Sequence, residues 1–397
     1  MKKNNISAIF LIIAAAAMAH AGTGAYDDII SQIMANNLSL KAEKASLESQ
    51  GLEIRAENNL ADPEVGFEHQ WGEGALGNKW NITVSQSFDW PGAYRARSRA
   101  SLQAENAFAM LYRSKENELR LNTRRLLIDI SYCLQRRKLT ETVSDNVGRL
   151  NELISTAYEH GQATILDISK IKLQLAESRT TLETIDSELA SLRADLIALN
   201  GNQAVAIDSL DSYDSDRLLS EEEYLEAIDR SDLTAASLRA ESDYRLAGAR
   251  AARLGAYPGF SLGYVHNVEL GEKFNGFSVS VTLPFFSNRH KSQSARLAAE
   301  ATELAVTDYR MAAQTRIVTD FAAARRIEKR IDAYDAIFAN DVDYLALLKK
   351  SYDGGQITVL DYLLEINYFT EARLNYLALC HDYRLRLADL NRYITTD

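Results

Sequence analysis

Two ten-residue stretches, YEHGQATILD at 158–167 and YDGGQITVLD at 352–361, hold Tyr, Gly, Gln, Thr, Leu and Asp at identical internal positions, 194 residues apart. The register persists outside them. Glu177 and Arg179 match Glu371 and Arg373, Ala194-Asp195-Leu196 matches Ala388-Asp389-Leu390, and Lys79-Trp80-Asn81 matches Lys273-Phe274-Asn275. Pro63 matches Pro258 with the offset changed by one. Such a chain must fold as two copies of one unit, here 22–200 and 221–397. Residues 201–220 join them. They lack helical periodicity, carry four aspartates and read as a solvated linker.

Each unit reads as helix, hairpin, long helix, turn, helix. The opening helices are expected near 25–60 and 221–254. The long helices are expected at 93–157 and 289–351, and the closing helices at 165–200 and 359–393. Residues 93–157 contain no proline and one internal glycine, Gly148; as one helix they would span about 95–100 Å. Leu182, Ile185, Leu189, Leu192, Leu196 and Leu199 form a heptad seam, which implies coiled packing on a neighbour. The closing helices are little over half as long as the long ones, so an opening and a closing helix stacked end to end would match one long helix.

The hairpins, 63–90 and 258–285, alternate with period two. Val65, Phe67 and Trp71 interleave with Glu64, Gly66, Glu68 and Gln70, and Trp80, Ile82, Val84 and Phe88 with Asn81, Thr83, Ser85 and Ser87. Phe260, Leu262 and Tyr264, then Phe277, Val279 and Val281, repeat the pattern. All four prolines of the chain flank these stretches. Strands of about 9–11 residues, apolar on one face and small or polar on the other, with aromatic ends, fit a transmembrane barrel. The competing reading is a four-stranded sheet packed on its own helices in water.

The start of the chain supports export. Lys2 and Lys3 precede an apolar run, Ala8 to Ala19, and Ala19-His20-Ala21 is a cleavage signature, so 1–21 reads as a signal peptide. The formal charge of −11 argues against a nucleic-acid partner, whose phosphates need a basic surface. Beyond the signal no run approaches 18 apolar residues, so a membrane would not be crossed by helices. Four strands cannot close a barrel, and lipid cannot satisfy an open edge. The barrel reading therefore requires an oligomer. Two copies would bring eight strands, which side chains nearly fill, whereas three would bring twelve and leave a lumen.

The chain resembles the TolC family of outer-membrane efflux proteins along its whole mature length. The segments YEHGQATILDISKIKLQLAESR and YDGGQITVLDYLLEINYFTEAR resemble that family's helix-tip repeat, and FDWPGAYRARS (88–98) resembles its heavy-metal-efflux branch. The resemblance implies a mainly α trimer whose 12-stranded barrel continues as a long periplasmic α-helical barrel. It implies an exit duct of a tripartite efflux system, partnered by itself, outer-membrane lipid, a periplasmic adaptor and an inner-membrane pump. The same architecture would serve as the exit duct of a type I protein-secretion system. A soluble periplasmic coiled-coil adaptor is the alternative of another class.

The repeated decapeptide also has a local reading. Gly161 and Gly355 suit the left-handed position past a helix end. Thr164 and Thr358 suit the N-cap of the next helix, with Asp167 and Asp361 three residues on. The resemblance places these turns at the periplasmic mouth. There Asp167 and Asp361 are expected to form acidic rings, and Tyr158 and Tyr352 to hydrogen-bond across helices. Gly161, Gln162, Ala163 and Thr164, with Gly355, Gln356, Ile357 and Thr358, are the expected adaptor-contacting tips.

Signatures of other chemistry are missing: there is no HExxH, no CxxC and no phosphate loop of the GxxxxGK type. We expect no catalytic residue, metal or cofactor. Cys133 and Cys380 read as buried thiols, with a bond within or between chains left open.

Overall fold

A computed structural model describes residues 25–73, 77–207, 210, 212–213, 216–286, 290–338 and 344–394. The signal peptide expected at 1–21 lies outside them. The elements run α1 (Ala25–Asn36), α2 (Leu38–Ala56), β1 (Glu64–Trp71), β2 (Asn78–Phe88), α3 (Pro91–Glu159) and α4 (Ile165–Leu199). The second half runs α5 (Glu221–Arg230), α6 (Leu233–Leu254), β3 (Gly259–Glu269), β4 (Glu272–Thr282), α7 (Lys291–Phe338), α8 (Tyr344–Asp353) and α9 (Val359–Asn391).

Proline opens α3 in its first turn, where no N–H is lost to the helix. With no proline inside, α3 continues for 69 residues, about 100 Å. Its sheet-proximal part buries Ala93, Ala96, Ala100, Ala104 and Ala107, a stripe of small residues, and α3 packs on α6, which buries Ala235, Ser237 and Ala240. Farther down, α3 lies between α4 and α9, and α9 in turn packs on α7. The helices thus form one layer with two different edges, α2 with α4 on one side and α7 on the other.

The opening helices each break in two, where single helices were expected. Asn37 Oδ1 accepts from Leu40 N at 2.8 Å and so caps α2, while its Nδ2 donates to Leu199 O at 2.9 Å. Asp232 Oδ1 accepts from Thr234 N at 2.9 Å and caps α6, while its Oδ2 accepts from Tyr309 OH at 2.7 Å. Both breaks sit where a closing helix ends. Asn36 Nδ2 donates to Asn200 Oδ1 at 3.0 Å, and Ser231 Oγ donates to Tyr393 O at 3.0 Å. Opening and closing helices therefore meet end to end, and each junction is hydrogen-bonded. The single helix expected over 289–351 is described as α7 and α8, with 339–343 outside the described residues.

The expectation of a solvated linker at 201–220 is corrected. Ile207 and Leu210 are buried with Tyr26, Ile30, Ile33, Leu127, Ile130 and Leu196, and Val205 and Tyr213 pack on the same cluster. Of the segment's aspartates, Asp216 is among the described residues, and it pairs with Arg124 at 3.3 Å. Burial of four apolar side chains outweighs the polar composition that made the segment look solvated. Cys133 is buried and Cys380 half-buried, and both are free. Burial pushes the Cys133 thiol up to about 12 and raises that of Cys380, so neither is a ready nucleophile.

The strands form one antiparallel sheet in the order β1-β2-β3-β4, so the β2–β3 pairing joins the two repeats. Its register puts Val65, Phe67, Ile82, Val84, Leu262, Tyr264, Phe277 and Val279 on one face. Among the described residues nothing covers that face: Phe277 is 90% exposed and Trp71 81%. The other face carries Gly66, Thr83, Ser85, Ser261, Gly263, Ser278 and Ser280. Aromatic rings mark both ends of the apolar face. Trp80 lies near Phe67 (6.4 Å) and His266 (5.5 Å) at the turn end. Trp90 stacks on Tyr257 at 5.8 Å beside the helices. Trp80 and Phe88 are about 27 Å apart along a strand, close to the apolar band of an outer-membrane barrel, about 25 Å. Among the described residues no helix is long and apolar enough to cross a membrane.

Candidate functional site at the paired helical turns

The two repeated decapeptides lie side by side at the end of the helices opposite the sheet. Each turn begins with the same backbone lock. Gly161 and Gly355 adopt φ of +72° and +67°, a conformation that costs other residues roughly 1–2 kcal/mol. In the first turn, Gly161 N donates to Tyr158 O at 2.9 Å and Gln162 N to Ala157 O at 2.8 Å. In the second, Gly355 N donates to Tyr352 O at 2.9 Å and Gln356 N to Ser351 O at 2.9 Å. These are the two bonds of a Schellman motif.

The next helix begins on a capping box. Asp167 N donates to Thr164 Oγ1 at 3.2 Å, Thr164 N to Asp167 Oδ2 at 3.0 Å, and Thr164 Oγ1 to the same oxygen at 2.6 Å. The second copy repeats this with Thr358 and Asp361 at 3.2, 3.2 and 2.7 Å. The threonine hydroxyl first, and then its backbone N–H, hold both carboxyls below the usual aspartate range. Both aspartates therefore stay charged near neutrality, at helix N-termini that favour negative charge. Thr164→Ala removes one cap, worth about 1 kcal/mol. Amide exchange at residues 165–168 is expected to rise about fivefold, while the middle of α3 stays unchanged.

One apolar cluster holds the two turns together. Ile154, Ile168 and Ile171 of the first repeat pack with Leu348, Tyr362, Leu363 and Ile366 of the second, and Ala163 and Ile357 lie against them. The polar link is thinner: Asn367 Nδ2 donates to Gln174 Oε1 at 3.4 Å. Tyr352 is half-buried against the Tyr362 ring, at 5.4 Å. Burial first, and then Asp353 and Asp167, push its hydroxyl upward. The cross-helix hydrogen bonds expected of the tyrosines are absent within the chain among the described residues. Tyr352 packs by its ring, and the exposed Tyr158 hydroxyl meets no described partner.

Gly161, Gln162 and Thr164, with Gly355, Gln356 and Thr358, are exposed, whereas Ala163 and Ile357 are half-buried spacers. The sequence reading missed the exposed apolar residues beside the caps: Ile165, Leu166 and Leu360. The signal was present, because an apolar pair follows each capping threonine in both copies. Among the described residues no group of three or more His, Cys, Asp or Glu could hold a metal ion.

Residues 29–202 match the sequence profile of the Outer membrane efflux protein family. No curated protein sequence matches the chain. Solved structures match in fold. A membrane protein from Pseudomonas aeruginosa is 19% identical with a TM-score of 0.72, over 93% of each chain. The Campylobacter jejuni CmeC outer membrane channel is 14% identical with a TM-score of 0.74, over 93% of this chain and 85% of that one. The open state of the Neisseria gonorrhoeae MtrE outer membrane channel is 17% identical with a TM-score of 0.72, over 93% and 88%. The family profile thus reaches the first repeat, and nearly the whole chain shares the fold of solved outer-membrane channels.

Proposed function

We propose that three copies of this chain close into one duct that carries substrate from the periplasm to the exterior. The observation that carries this reading is the pair of unlike edges on both layers. β1 and β4 end the sheet, and an apolar face beside two open edges is stable in lipid only if the sheet closes. On the helix layer, α7 exposes Leu297, Leu304, Met311 and Val318 at seven-residue spacing. The opposite edge exposes Leu38, Ala45 and Leu52 of α2 at the same spacing. Each line is half of a coiled seam. Because the two edges differ, contact is head to tail and ends when the ring closes. Three copies give a twelve-stranded barrel whose lumen is lined by the glycine, serine and threonine face.

The paired turns then ring the periplasmic mouth. Asp167 and Asp361 supply its negative charge. Gln162, Ile165, Leu166, Gln356 and Leu360 form a mixed polar and apolar rim that suits the hairpin tip of a periplasmic adaptor. An inner-membrane pump supplies the energy and selects the cargo; the duct itself catalyses nothing. The test is the native mass of the membrane-extracted protein, corrected for detergent. A trimer is expected. A monomer that stays in the water-soluble fraction would overturn the reading.

A further inference from the structure

The outward face of the sheet sorts its charges by sign. Followed across the register, one row at the turn end reads His69, Trp80, Val268, Lys273. The next row toward the helices reads Phe67, Ile82, His266, Asn275. His69, His266 and Lys273 are the residues of the apolar face, among the described strands, that can carry a positive charge, and no acidic residue shares that face. Glu64, Glu68, Glu269 and Glu272 all alternate onto the opposite face, where Lys79 pairs with Glu269 at 3.1 Å. All three basic groups sit in the half of the sheet farthest from the helices.

The surroundings suit a headgroup. His266 Nδ1 and Tyr264 OH both lie on Asn275 Oδ1, at 2.8 and 2.7 Å, which fixes the imidazole. His69 meets the edge of the Trp71 ring at 4.9 Å, and Trp80 lies 5.5 Å from His266. Amphipathic rings with cationic groups among them match the depth at which acyl chains give way to polar headgroups.

We infer that this end of the face binds the headgroup of a phosphorylated glycolipid in the outer leaflet. Lys273 and His266, on neighbouring strands, meet its phosphate; His69, three strand spacings or about 14 Å from Lys273, meets another polar group of the same headgroup, and Trp71 and Trp80 cover the upper acyl chain. The inference rests on the barrel reading, which puts the turn end outside and this face in lipid. Charge complementarity selects the occupant: an acid-free face with three basic groups favours an anionic headgroup over a zwitterionic one.

Native mass spectrometry of the full chain, extracted from the outer membrane and mixed with lipopolysaccharide, tests it. The intact lipid is expected to stay on the oligomer, and its dephosphorylated form to leave. Lys273→Gln should weaken retention about fivefold, the effect of one basic group near a charged surface. Adding His69→Gln and His266→Gln should bring the loss to at least about tenfold. Lys79→Gln, on the opposite face, should change nothing. An assembled oligomer that holds both lipid forms equally, or is insensitive to Lys273→Gln, would overturn the inference and leave the barrel standing. A soluble monomer would remove both.

Discussion

Replacing Phe277 and Val279 by arginine is expected to keep the protein out of the outer membrane. Both lie near the middle of β4, on the apolar face, and are 90% and 72% exposed. An arginine on the lipid face of a barrel costs about 2–4 kcal/mol near the midplane. Two per chain, multiplied by the copies in a closed barrel, exceed the margin on which folded proteins rest, about 5–15 kcal/mol. The sign of this effect separates two architectures. If the sheet stood in water, the same changes would remove exposed apolar surface and improve solubility. Fractionation and native mass decide: loss of the membrane-extracted oligomer is expected, and normal assembly of the double variant would sink the barrel. Ser280→Lys is the control. It points to the small-residue face, so it should leave assembly intact and alter conductance alone.

That contrast shows why the strands were readable in advance and their assembly was not. Period-two alternation is local, and it placed β1 and β2 to within about two residues of where they stand. The tips were readable for the same reason, since a Schellman glycine and a capping box each span fewer than ten residues. The breaks at Asn37 and Asp232 were not. Apolar periodicity runs through both, and the breaks are held by partners far along the chain, Leu199 and Tyr309. The burial of Ile207 and Leu210 was hidden by the aspartates around them in sequence, because composition averages over a segment that mixes apolar and acidic residues. Tyr352 turned to a ring partner because Tyr362 follows it one helical hairpin later, a proximity that depends on how α8 and α9 pack. Local chemistry was legible; whatever depended on distant partners was not.

Replacing both Asp167 and Asp361 by asparagine is expected to remove most of the mouth's preference for cations. Asparagine is the informative choice, because each carboxylate also closes a capping box. Alanine would strip charge and cap together, and a fraying tip could change conductance for reasons unrelated to charge. Asparagine keeps an oxygen within reach of the threonine N–H and hydroxyl, so the turn persists while the ring of charge disappears. The pH dependence separates the two roles further. Hydrogen bonds from Thr164 and Thr358 hold both carboxyls below the ordinary aspartate value, so the folded-state pKa lies under the unfolded one. A group shifted that way contributes fully above its unfolded pKa, about 3.9, and its contribution is lost as pH falls through the lower, folded value. Cation selectivity of the unaltered duct should therefore be the same at pH 7 and pH 5, and fall only below about pH 4. The double asparagine variant should show the reduced selectivity at every pH. Single-channel recordings with a salt gradient measure both. Unchanged selectivity in the double variant would remove the aspartates from the conduction path and leave them as helix caps.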